Sequence, residues 1–153
     1  MTTTFTNTVT IHRRTSEVFA FLAHLENVPL WNYAISETRK ISAGPVAVGS
    51  RYRQIRTLPT RSEESFEVTE LEPDRRLSIR GSLGPFHGDI SYLLDPVGEN
   101  TTLTNTMSLQ PSGPLRLVAP LVASRVKAAV AGNLDTLKQI LEGPVASGDP
   151  TRS

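Results

Sequence analysis

Tyr92, Asn105 and Asn133 are the residues of this sequence whose types and positions point to one chemistry. In the stretch 101–110, Leu103, Met107 and Leu109 set an inward parity that also turns Asn105 inward and leaves Thr102, Thr104 and Thr106 outward. In 87–95, Ile90 and Leu94 do the same for Tyr92. Asn133 lies on the apolar stripe of a C-terminal helix, between Val126, Val130 and Leu137. A phenol and two amides aimed at one interior could hydrogen-bond a carbonyl or phenol of a bound ligand, with Tyr92 as general acid. The competing reading is that they satisfy one another or hold a buried water.

A second polar set lies in 51–58, RYRQIRTL, where Tyr52, Gln54, Arg56 and Leu58 oppose Arg51, Arg53, Ile55 and Thr57. Alternation alone leaves its inward parity open. If Tyr52 and Leu58 face in, Gln54 and Arg56 do too, and the guanidinium could clamp an anion or stabilise an enolate. Otherwise Arg56 sits at a rim and pairs with Glu67 of a neighbouring strand. Met107 on its strand and Ala129 on the helix stripe complete the expected ligand lining. Trp31, beside Pro29 and Tyr33, either stacks on a ligand as a lid or anchors one end of the core.

Other chemistries find no support. His12, His24 and His87 lack ligand spacing and no HExxH pattern occurs, so no metal site is indicated. Gly81, Gly84 and Gly88 belong to no strand-glycine-helix phosphate loop, and there is no Gly-x-Ser-x-Gly elbow. The absence of cysteine excludes disulfides and thiolate chemistry. A formal net charge of +1, with acids and bases interleaved, argues against nucleic acid as partner. The N-terminus has no signal-peptide run, and nowhere do eighteen uncharged apolar residues occur in succession, which points to a cytoplasmic chain with no stable membrane insertion.

Those side chains need elements to hold them. Residues 114–142 read as one long helix, with Ser112 as N-cap, Pro114 in the first turn and Gly143-Pro144 as stop. At about 1.5 Å per residue it would be some 40 Å long, with Leu115, Val122, Val126, Val130, Leu134 and Leu137 on its broad apolar face. Pro120 threatens to kink it. Upstream, residues 4–12 alternate as a strand with odd positions inward, and 16–27 form a helix capped by Thr15 or Ser16. The segment VPLWNYAIS, 28–36, reads as a second brief helix turn leading into a strand. Six further strands, near 37–42, 51–58, 63–72, 76–82, 87–95 and 101–110, are separated by turn residues such as Pro73-Asp74, Gly84-Pro85 and Pro96-Val97-Gly98. Such short spacing without intervening helices means an antiparallel meander, which must curl around the long helix to cover its stripe. The expected domain is 1–144, with a polar tail at 145–153.

This order and several local stretches resemble the START-like, or SRPBCC, superfamily, and within it the bacterial polyketide cyclase/dehydrase proteins. The likeness rests on SEVFAFLAHLENVPLWN, on Gly49-Ser50-Arg51-Tyr52 entering a strand, on VTELEPDRRL at 68–77, on ISYLLDPVGENTTLT at 90–104 and on PLVASRVKAAVAGNLDTLKQILE. It implies an α+β helix-grip fold: a curved seven-stranded antiparallel sheet wrapped around a long C-terminal helix, with two short helices between strands 1 and 2. It further implies a cavity for a small hydrophobic or aromatic molecule, no cofactor, and either cyclisation and dehydration of a poly-ketone or service as a carrier or sensor. A co-chaperone-like interaction module is a third reading, and a homodimer is compatible with the sequence. No motif of the family fixes catalytic positions here.

Overall fold

The computed structural model describes residues 2–83, 86–111 and 119–147. Strand β1 spans Thr3–Ile11, and its odd residues turn inward while the threonines at even positions face solvent. Helix α1, Thr15–Ala23, buries Val18, Phe19, Leu22 and Ala23. Its N-cap is Arg14 and not Thr15 or Ser16: no side chain caps the helix, and the Arg14 carbonyl accepts from Glu17 and Val18 instead. A single 3-10 turn, Leu25–Asn27, leads into the short α2, Val28–Trp31, where Pro29 falls in the first turn and forfeits no helical hydrogen bond.

The remaining strands are β2 (Ile35–Lys40), β3 (Arg51–Arg56), β4 (Ser62–Glu72), β5 (Arg76–Leu83), β6 (Phe86–Val97) and β7 (Asn100–Pro111). They form one antiparallel sheet in the order β1-β7-β6-β5-β4-β3-β2, so the chain's first strand closes the meander beside its last. Pro96, a turn residue by its sequence context, lies within β6. It is tolerated there because β5 pairs no further along β6 than Leu93, leaving β7 as its one strand neighbour.

Gly81 of β5 and Gly88 of β6 face each other in register. A Cβ on Gly81 would collide with the Ser65 carbonyl, and one on Gly88 with the Ser108 carbonyl. Only glycine lets the neighbouring backbone approach so closely at these two positions.

Helix α3, Ala119–Ser147, lies against β1 and α2. Pro120 falls in its first described turn and causes no break, while Ser112 and Pro114 lie outside the described residues. The helix runs through Gly143 and Pro144 instead of stopping there; a proline so close to the end removes few backbone bonds. Residues 145–147 of the expected tail are thus helical, and 148–153 are outside the described residues. Lys138 and Glu142 of this helix reach β1: the Lys138 ammonium donates to the Thr10 carbonyl (2.6 Å) and to Glu142 (2.9 Å).

Burial along α3 is uneven. Leu134 and Leu137 are packed in the core, whereas Val122, Val126, Ala129 and Val130 are only half-buried. The same stripe therefore meets side chains at one end and open space at the other.

Candidate functional site

That space is a cavity of about 480 Å³, bounded by α2, the inner faces of the sheet strands and the N-terminal half of α3. Its walls are mostly apolar: Phe66, Ile79, Ile90, Met107 and Leu109 come from the sheet, and Val122, Val126, Ala129 and Val130 from α3. Strand parity explains the sheet side, since each of these residues shares the inward face with its neighbours two positions away.

Two polar groups interrupt the apolar walls at depth. Tyr92 is buried and lines the cavity, and its hydroxyl has no hydrogen-bond partner among the described residues. Burial holds its pKa above that of an ordinary phenol, so the group stays protonated and acts as a donor. Asn133 on α3 lines the cavity too, and its buried side chain likewise makes no hydrogen bond to described residues. Trp31 forms part of the wall, edge-on to Tyr92 with ring centroids 6.3 Å apart and planes at 86°. Its Nε1 is buried without a partner among the described residues.

A second polar cluster sits on β3 and β4. Tyr52 and Gln54 face inward, which settles the parity that alternation left open, and Arg56 follows them. Gln54 and Arg56 line the cavity, and both are fixed from behind by Glu64. Gln54 Nε2 donates to Glu64 Oε1 at 2.9 Å, and Arg56 Nε donates to Glu64 Oε2 at 2.6 Å. Thr38 Oγ1 donates to Gln54 Oε1 at 3.4 Å. Glu67, the partner expected for Arg56, instead lies opposite Arg51 on the outer face.

Two residues expected at the site stand apart from it. Asn105 is wholly buried, in register between Asn7 of β1 and Tyr92 of β6, but it does not line the cavity, and both its amide atoms lack a partner among the described residues. Tyr52 stacks on Phe66 (centroids 5.2 Å apart, planes at 6°), which puts Phe66 in the cavity wall and Tyr52 behind it. The far side of Tyr52 lines a separate cleft of about 410 Å³ beneath α1, with His24, Glu26 and Lys40. Burial, helped by the Glu26 charge, pushes its pKa up to about 12. Tyr92, Asn133, Gln54, Arg56, Trp31, Met107 and Ala129 are brought together around one space.

Sequence reasoning missed Arg125 and Glu64. Arg125 follows Val122 by three residues and precedes Ala129 by four, so helical spacing alone places it on the cavity flank of α3, where it lines the cavity. Glu64 shares the parity of Phe66 and Val68, which puts it inside.

Comparison with known proteins decides the kinship. The family described as polyketide cyclase/dehydrase and lipid transport matches residues 2–142. The chain belongs to this family. It is a helix-grip, hydrophobic-ligand-binding member of the SRPBCC superfamily. Among solved structures, the Zhui aromatase/cyclase from a Streptomyces species, strain R1128, superposes with a TM-score of 0.82 at 13% identity, covering 97% of this chain and 99% of its own. TTHA0849 from Thermus thermophilus gives 0.78 at 17% identity, over 95% and 99% of the two chains. Ara h 8.0201 gives 0.73 at 12%, over 92% and 98%. At such identities these likenesses establish the fold. No protein of curated function matches the sequence. Among the described residues, no helix of this family member is long and apolar enough to cross a membrane.

Proposed function

We propose that this protein holds a small hydrophobic or aromatic molecule in the cavity and orients it through Tyr92 and Asn133. The observation that carries the reading is the pair of buried polar groups, a phenol and an amide, left without described partners on the wall of a cavity of about 480 Å³. Buried polar groups are ordinarily satisfied, so a ligand carbonyl or hydroxyl at this depth is the natural complement. A bound poly-ketone would be held for cyclisation and dehydration by orientation. Tyr92 would donate to the carbonyl oxygen under attack by the carbon nucleophile, and Arg56 would oppose negative charge on an enolate oxygen.

A carrier or sensor is the second reading, and one observation favours it. The described residues lining the cavity include no histidine, aspartate or glutamate, so no ordinary general base stands there to take a proton from carbon.

The test compares turnover of a poly-ketone thioester analogue with its affinity. Under the cyclase reading, Tyr92→Phe and Asn133→Ala lower kcat more than they raise Kd; equal losses favour the carrier. Mass spectrometry under native conditions on the purified protein would identify a retained ligand for either.

A further inference from the structure

The cavity lining is electrostatically one-sided. It contains two guanidinium groups, Arg56 and Arg125, and no carboxylate among the described residues. The Arg56 charge is matched from behind by Glu64. Arg125 has no ion pair within 4.0 Å among the described residues. Nor does its own helix offer one: the positions three and four residues away are Leu121, Val122, Ala128 and Ala129. Glu142, further along α3, is engaged by Lys138 and His12. Arg125, exposed on its helix, therefore lines the cavity with a positive charge that has no acidic partner among the described residues.

Resting on the cavity reading above, we propose that the natural ligand is an amphipathic carboxylate, its anionic head taken by Arg125, which lines the same cavity as the Glu64-held Arg56, and its apolar body lying along α3. The planar fork of a guanidinium matches the two oxygens of a carboxylate, and such charge-assisted bonds are stronger than neutral ones. Tyr92 and Asn133 then address a second polar group on the ligand body.

Decanoate and 1-decanol, matched in chain and different in head charge, test this at neutral pH. Trp31 is the sole tryptophan and lies in the cavity wall, so its fluorescence reports occupancy, with titration calorimetry alongside. The wild-type protein is expected to bind decanoate about tenfold more tightly than decanol, the worth of one charge-assisted hydrogen bond. Arg125→Gln should bring that ratio close to one, and Arg125→Lys, which keeps the charge, should restore part of it. Arg125 is exposed, so these variants leave the packing intact. Equal binding of the two probes by the wild type, or a preference that survives Arg125→Gln, overturns the carboxylate proposal alone. If neither probe binds, the cavity reading falls and takes the proposal with it.

Discussion

Nε of Arg56 stands 2.6 Å from Oε2 of Glu64 on the neighbouring strand, with the two side chains only 17% and 2% exposed. The register pairs Arg56 with Ser62, so Glu64 is its diagonal neighbour on the same inward face. Both oxygens of this deeply buried carboxylate are engaged, one by that guanidinium and the other by the Gln54 amide. Removing one partner therefore strands the other. Glu64→Leu is expected to destabilise the fold by about 3 kcal/mol, and the Arg56→Met, Glu64→Leu double variant to recover most of that loss. Urea unfolding of the four proteins of this cycle checks it; additive effects would show that the pair is not coupled.

Asn105 presents the opposite case, a buried amide with nothing among the described residues to bond. Its desolvation is uncompensated, and leucine has the same branched skeleton of four side-chain heavy atoms. Asn105→Leu is expected to stabilise the protein by about 1–3 kcal/mol and raise Tm. A fall in Tm would mean that the amide has a partner such as an ordered water.

Stability should also depend on pH at both ends. Burial works to raise the Glu142 pKa, but the His12 backbone N–H and the Lys138 ammonium outweigh it and hold the carboxyl below its ordinary value of 4.5. The folded pKa is thus lower than the unfolded one. The contribution is present in full above the unfolded value and is lost as pH falls through the folded one. Because the pair is partly exposed, the effect is below about 1 kcal/mol. Glu142→Gln should be slightly less stable than wild type at neutral pH, with the difference vanishing on acidification. At the alkaline end the sign reverses: burial raises the pKa of both Tyr52 and Tyr92, so stability present below the ordinary phenol value of 10.0 is lost above it. Denaturant midpoints measured across pH check both limbs.

Hydrophobic alternation was enough to place the inward residues of β1, β6 and β7, because an antiparallel strand with one solvated face has a period of two that a single misplaced residue would break. Alternation identified Tyr92, and the helical period of α3 identified Asn133, as interior polar groups: each sits where its neighbours in phase are apolar. Alternation failed for β3, where arginines occupy both parities and no apolar majority votes. There the deciding fact was Glu64 on the next strand, whose carboxylate compensates the charge of an inward Arg56.

The sequence by itself thus determined the order of elements, the antiparallel meander, the apolar stripe of the last helix and which polar residues turn inward, since all of these follow from local periodicity. Tertiary structure alone decided which inward residues meet a cavity and which meet each other. Asn105 and Tyr92 are equivalent by parity and adjacent in register, yet only Tyr92 lines the open space, while Asn105 is wholly buried beside it. Parity records the side of the sheet on which a residue lies, whereas the depth of the gap above it depends on how two distant segments pack.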